Sequence, residues 1–289
     1  MKLYRFEEAS QFYAQVKDYL LKYEAHHCLL FGIIDTLINY PQRYDKNPYL
    51  ASVEDGGKVV AVAVKTAPYA AVLSKVEDFG AVEAIASNLQ AQKEPLPGVN
   101  ALTEEALAFA QTWKKLTGES YEIEMQMRIH QLQTVEPIAK SSGYLRLAQE
   151  SDRQLILEWY KAFELDAIGT NQENIHRIVD YHLKENHAYI WEDKIPVSMV
   201  FSGGSTPNGK RITAVYTPPE YRQKGYATSC VAALSENLLD SGCKYCFLFT
   251  DLANPTSNHI YHKIGYRPIS NWSNYSFIND QIISEAEPP

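Results

Sequence analysis

The chain has 289 residues, 45% hydrophobic and 21% charged, which sets the expectation of an ordinary soluble globular protein, with two domains the better fit to the length. A net charge of −8 and a pI near 5.5 argue against a general binder of nucleic acid or anionic membrane, either of which needs a basic face to replace counterions. Cys28, Cys230, Cys243 and Cys246 are too few for a disulfide scaffold, no apolar run approaches membrane-spanning length, and the first residues lack the apolar core of a secretory signal, so reduced thiols and a cytoplasmic location are expected.

From Glu7 to about Tyr23, apolar residues recur at intervals of three and four (Ala9, Phe12, Val16, Tyr19, Leu20), which predicts an amphipathic helix. A second helix is expected from about Ala25 to Asn39, stopped by Pro41. Tyr49 to Val53 and Lys58 to Val64, joined by Glu-Asp-Gly-Gly, read as a hairpin. Asp78 to Gln90 is a helix and Pro95-Leu-Pro-Gly98 a turn. Thr103 can cap a further helix that ends at Gly118, with Glu104 and Glu105 complementing its dipole. Glu122 to Ile129 alternates strictly, so Ile123, Met125, Met127 and Ile129 are expected on the buried face of a strand. The pattern lapses between Val135 and Gly143, which reads as a linker between domains at 1–135 and 143–289.

After it come a strand at Tyr144 to Ala148, helices from Ser151 to Phe163 and Glu173 to Asn186, and strands at Ala188 to Trp191, Val197 to Phe201 and Arg211 to Tyr216. Gly203 to Gly209 reads as a turn-rich loop. A helix at Tyr226 to Leu239, a strand at Tyr245 to Thr250, a helix at Thr256 to Lys263 and terminal strands complete the order. The fold class is α/β, an α+β mixed sheet with helices on both faces. The first half repeats the crude order of the second, which suggests a tandem, although no identity between the halves is visible. Cys243-x-x-Cys246 has redox or zinc spacing but no second pair, and packing as small hydrophobes is the expected role. His26-His27 and the His259, His262 pair have no third ligand at recognisable spacing, so no metal is expected.

The chemistry is concentrated in Val215-Tyr-Thr-Pro-Pro-Glu-Tyr-Arg-Gln-Lys-Gly-Tyr-Ala227. A strand, a proline corner and a helix start leave backbone N–H groups without intrahelical partners, and the helix dipole adds about half a positive charge there. Such a place suits a pyrophosphate, with Gly225 allowing close backbone approach and Arg222 and Lys224 adding charge. Downstream, Asn254, Ser257, Tyr261 and Gly265-Tyr266 follow the next strand.

This series, Arg-x-x-Gly-x-Ala followed by Asn, Ser and Tyr before Gly-Tyr, resembles the GNAT superfamily of acyl-CoA-dependent N-acyltransferases. The resemblance covers Tyr144 to Phe277 and is strongest over Val215 to Pro268. It implies two GNAT-like domains, each a twisted mixed sheet with helices on both faces, the first (1–135) degenerate because it lacks an equivalent loop. It also implies acetyl-CoA as acyl donor, held by Val215, Tyr216 and Thr217 along the pantetheine arm. Arg222, Gln223, Lys224, Gly225, Tyr226, Ala227 and Thr228 would bind the pyrophosphate, and Asn254 and Ser257 the cofactor arm. Asn254 also reads as a helix cap, and both roles can hold together. Tyr261 is implied as general acid at the sulfur and as a cofactor contact. No carboxylate lies within Arg211 to Tyr216, so the general base stays unassigned, with Glu164, Asp166 and Asp251 as guesses. The acceptor is expected to be a small-molecule or peptide amine. A non-catalytic acyl-CoA sensor is the alternative.

Overall fold

The computed structural model describes residues 1–44, 46–169 and 174–278. Ten elements occur in each half, and the order is the same: strand, two helices, three strands, helix, strand, helix, strand. The first set is β1 (Lys2–Phe6), α1 (Ala9–Leu21), α2 (Cys28–Asn39), β2 (Tyr49–Asp55), β3 (Lys58–Lys65), β4 (Ala71–Leu73), α3 (Gly80–Ala91), β5 (Gly98–Leu102), α4 (Thr103–Thr117) and β6 (Ser120–Leu132). The second is β7 (Tyr144–Leu147), α5 (Arg153–Ile168), α6 (Ile175–Lys184), β8 (Ala188–Asp193), β9 (Ile195–Thr206), β10 (Gly209–Tyr216), α7 (Tyr226–Asp240), β11 (Tyr245–Asp251), α8 (Pro255–Ile264) and β12 (Arg267–Ile278). Contacts group these into two compact units. Among the described residues, unit one is Met1–Ile129 with Asp251–Ala253 and 269–278; unit two is His130–Thr250 with Asn254–Pro268.

In unit one the strand order is β1-β2-β3-β4-β5-β12-β6. β4 and β5 run parallel, and β12 pairs antiparallel with β5, Trp272 opposite Leu102 and Ser276 opposite Gly98. Alternation along β2 and β3 puts Ala51, Val53, Ala61 and Ala63 against α3 and α4, whose Ala81, Ile85, Ala106 and Phe109 close one core with Tyr275 of β12. Trp113 of α4 stacks on Phe277 at 5.5 Å between ring centroids. On α1 and α2, Phe12, Val16, Leu20, Leu30 and Ile34 are buried, and α1 packs on β2 and β3. Both faces are therefore covered by helices.

In unit two the order is β6-β11-β10-β9-β8-β7, with β10 and β11 parallel. Period-two alternation again makes two cores: Trp191, Val200 and Ile212 pack with α7 and α8, while Ile190, Met199, Phe201 and Ala214 pack with α5 and α6. Chain order and sheet class match the mixed sheet with helices on both faces that the pattern predicts.

Several local expectations need correction. Thr103 is the first residue of α4 rather than its cap; Leu102 holds the cap position without a side-chain bond, and Thr103 Oγ1 instead accepts from Ser273 Oγ at 3.2 Å. The expected buried face of β6 fails at its start, where Ile123 is 51% exposed; Met125 and Met127 are half-buried, and Ile129 is fully buried. Gly203 to Gly209 is no loop: β9 runs to Thr206, β10 starts at Gly209, and a tight turn joins them. β1, β4 and β5 are strands without a strong local signal in the sequence. The second helix begins at Cys28, and Ala25 to His27 are turns. The proposed start of α6 at Glu173 lies outside the described residues.

Candidate functional site

The site begins where two parallel strands part. β10 pairs with β11 from Gly209–Tyr245 to Arg211–Phe247, and the register stops there, although β10 continues to Tyr216 and β11 to Asp251. Against β9, the register of β10 slips between Thr213 and Tyr216, and Ala214 takes a φ of +50°. This is a bulge, which bends a strand and re-aims its end. The opening it leaves exposes backbone groups of β10 that a sheet would otherwise use. Ser198 on β9 fixes the strand end: its Oγ donates to Tyr216 O at 3.0 Å, and the Thr217 hydroxyl lies 2.9 Å away.

Beyond Thr217 a short 3₁₀ turn, Pro219–Tyr221, leads into the loop. Gln223 and Gly225 both have left-handed backbones, with φ of +62° and +79°, and flank Lys224. Gly225 is required twice over, because a Cβ there would also sit 2.7 Å from Ser141 Oγ. α7 starts at Tyr226, so the N–H groups of Tyr226, Ala227 and Thr228 project from its first turn without intrahelical acceptors. A neighbouring strap holds this loop: Ser141 Oγ donates to Lys224 O at 2.7 Å and Ser141 N–H donates to Ser229 Oγ at 2.8 Å.

The two cations are partly engaged. Arg222 Nε donates to Thr217 O at 2.9 Å and its Nη2 to Asp166 at 2.6 Å, which closes the corner. Both side chains of that pair are about half exposed, so its contribution to stability is small. Lys224 Nζ donates to Glu220 O at 3.1 Å. Tyr226 turns its hydroxyl to Asp193, 2.7 Å away, and Ser142 Oγ donates to the same oxygen at 2.6 Å. Those two hydroxyls, Ser142 first, hold the Asp193 carboxyl below its ordinary value.

At the end of β11, Asn254 caps α8: its Oδ1 accepts the Ser257 N–H at 3.1 Å, with Pro255 in the first turn. A chain of hydrogen bonds that starts in the interior and ends at the surface backs this cap. His130 Nε2 donates to Thr250 Oγ1 at 3.1 Å, Thr250 donates to Asn258 Oδ1 at 2.7 Å, and Asn258 Nδ2 donates to Asn254 O at 2.8 Å. Tyr261 lies in the core with its ring edge-on to Tyr266, and burial, then the neighbouring Cys230, push its phenol well above the ordinary value.

Val215, Tyr226 and Tyr261 thus pack around one core of unit two, and Arg222, Gln223, Lys224 and Gly225 form its exposed rim. Ser141, Ser142, Asp193, Ser198 and His130 escaped the sequence reading. None has a local signal, since each acts through partners at least 18 residues away. Cys243 and Cys246 are free thiols; burial pushes Cys246 up to about 12, away from the reactive thiolate range.

In unit one the segment after β4 is different. Lys75 N–H donates to His27 Nε2 at 3.0 Å, Val76 N–H to Glu105 Oε1 at 3.2 Å and Glu77 N–H to Val60 O at 2.9 Å. Tyr19 adds hydrogen bonds to Val60 O and Lys75 O. Two of these three amides are thus taken by side chains of the same unit, His27 before α2 and Glu105 on α4, and the third by the backbone of β3. No helix among the described residues is long and apolar enough to cross a membrane.

Residues 200–276 match the family model described as FR47-like protein. No curated protein sequence matches the chain. Among solved structures, a GCN5-related N-acetyltransferase from Sphaerobacter thermophilus superposes with a TM-score of 0.63 at 12% identity, over 96% of each chain. A GNAT-family acetyltransferase from Colwellia psychrerythraea gives 0.57 at 10% identity, over 96% of this chain and 99% of its own. A tandem GNAT protein from the clavulanic acid biosynthesis pathway gives 0.55 at 11% identity, over 95% and 97%. The repeated element order, the parted parallel strands and these likenesses agree, and the chain has the fold of the GNAT superfamily over nearly its whole length.

Proposed function

We propose that the second domain, 143–289, is an N-acetyltransferase that moves an acetyl group from acetyl-CoA to a small-molecule or peptide amine. The observation that carries this reading is the parting of β10 and β11 beside a loop whose left-handed Gln223 and Gly225 open α7. The residues present fit the donor. Free amides at a helix start, the absence of a Cβ at Gly225 and the adjacent Lys224 suit a pyrophosphate. Val215, Tyr216 and Thr217 offer strand backbone for an amide-bearing arm, and Asn254 and Ser257 lie at the start of α8. Bound acetyl-CoA supplies an acyl thioester open to attack by a neutral amine.

Tyr261 keeps its proton on Oη at neutral pH, because burial raises its phenol. That is the state a general acid needs before transfer. One observation favours the alternative of a non-catalytic acyl-CoA sensor: Tyr261 is only 9% exposed and packed among Cys230, Ile264 and Tyr266. The first domain, 1–135, is read as an accessory that has lost donor binding, since His27 and Glu105 accept the N–H groups of Lys75 and Val76 in the equivalent segment.

Titration calorimetry of the full chain with acetyl-CoA tests the donor. Binding is expected for the parent and loss of about tenfold or more for Gly225→Glu, where a side chain and a negative charge enter the loop. No binding by the parent removes both readings. Thiol release with a panel of amines then separates them: an enzyme loses turnover in Tyr261→Phe while retaining acetyl-CoA affinity, whereas a sensor releases no thiol with any amine.

A further inference from the structure

Unit one contains two adjoining cavities, of about 500 and about 710 Å³, that share Lys65, Glu94 and Leu96 in their walls. Lys65 ends β3 and is 5% exposed. Its Nζ donates to Glu94 Oε2 at 3.2 Å, yet the Glu94 side chain is 62% exposed, on the segment that joins α3 to β5. A buried ammonium is thus served by a carboxylate that stands largely in solvent. Such a partner loses little when it swings away, because the water it returns to solvates it fully.

The two cavities differ in character. The first is walled by polar groups such as Glu7, Asn47 and Gln92. Its Arg5 is already committed: Nε donates to Leu50 O, and the guanidinium stacks on Tyr49 at 3.8 Å. The second has an apolar floor of Leu96, Pro97, Trp113 and Phe277, with the two aromatic rings stacked. Among the described residues of its wall, Lys46, Lys65 and Lys93 outnumber Glu94 and Glu119 by three to two. Volumes of this size are those of small-molecule sites, where an apolar surface binds and a few polar groups orient.

We propose that unit one binds a small amphipathic carboxylate, an aromatic or short-chain acid whose carboxylate takes the place of Glu94 on Lys65 and whose apolar part lies over Trp113 and Phe277. Glu94 shows which anion the ammonium accepts at this spot, since it is itself a carboxylate at hydrogen-bond distance. Among the described residues of the two walls, Arg5 is the forked donor that would favour a phosphate over a carboxylate, and it is engaged elsewhere. The site is separate from the amides held by His27 and Glu105, and the inference stands whether or not unit two transfers acyl groups.

The test is calorimetry and thermal melting of the full chain with benzoate and hexanoate, with benzyl alcohol and inorganic phosphate as controls. Both acids are expected to bind and raise Tm, and the controls to bind at least about tenfold more weakly. Lys65→Met should weaken the acids about tenfold or more, and Glu94→Gln, which removes the competing charge, should tighten them several-fold. Absence of binding by the parent, equal binding by Lys65→Met, or phosphate binding as tight as benzoate overturns the proposal. Should Lys65→Met fail to fold, the exposed Glu94→Gln decides alone: unchanged or weaker affinity for both acids sinks the idea.

Discussion

His27 shows how much one buried side chain can fix. Its Nδ1 donates to Leu20 O at 2.8 Å and its Nε2 accepts the Lys75 N–H at 3.0 Å, so the ring is neutral and its tautomer is set by geometry. Burial, the largest cause, pulls its pKa down from the ordinary 6.5 to about 4. The unfolded chain therefore takes up a proton at higher pH than the folded one, and stability present above pH 6.5 is lost as pH falls through about 4. At about 1.4 kcal/mol per pH unit, that gap is on the order of 3 kcal/mol. Urea unfolding of the parent and of His27→Gln should diverge in slope across this window, the variant losing less stability on acidification. Parallel curves would dismiss the account. The sequence presents His26-His27 only as adjacent histidines; the role of the second became visible once Leu20 and Lys75 were brought to either side of it. Asn254 is the opposite case, a residue whose cap role follows from the Asn-Pro-Thr-Ser run itself and is what the structure contains.

Among the elements, those with a long period were legible and those without were not. α1, α5, α7 and the β2–β3 hairpin follow from apolar spacing and the Gly56-Gly57 turn. β4 and β5 are three and five residues long, and β5 owes its strand character in part to β12, far along the chain. Gly98 illustrates the dependence. It opens β5 opposite Ser276, and a Cβ there would lie 2.0 Å from Tyr275 O, so only a residue without one lets β12 pair. Gly98→Ala is expected to cost about 2 kcal/mol or more, through displacement of β12 from β5. A lowered urea midpoint accompanied by altered Trp272 fluorescence would fit, since Trp272 is buried in that strand. An unchanged midpoint would show that the strand adjusts freely. The candidate site was legible in the same uneven way: the loop and the Asn254, Ser257, Tyr261 series can be read in order, but the parting of β10 from β11 and the Ser141 strap depend on pairing and cannot.

For the molecule as a whole, the tandem is visible in the order of elements long before it is visible in identity, because two ten-element sets can share a layout without sharing residues. What a linear reading misses is that the contents of each compact unit are not contiguous. Ile269 to Ile278 of β12 belong to unit one, and His130 to Leu132 of β6 belong to unit two. A fragment ending at 135 lacks Tyr275 and Phe277, which close the unit-one core, and the buried Trp272, and removal of even one buried aromatic costs about 3–5 kcal/mol. That fragment is expected to show no cooperative melting transition alone, and to gain one when a peptide spanning Arg267 to Ile278 is supplied. A sharp transition in the isolated fragment would refute this.

The return of β12 to β5 has a consequence for synthesis. Chains emerge at about 5–20 residues per second, and domains generally fold as units from the N-terminus. Here the first unit to emerge must wait for strand residues 269–278 before its β5 edge is paired. During that interval the ribosome-bound chain presents an unfilled strand position, the kind of edge that recruits another chain. Neighbouring ribosomes on one message would hold several such edges close together, so the yield of correctly closed protein should depend on how crowded the message is as well as on how stable the finished fold becomes.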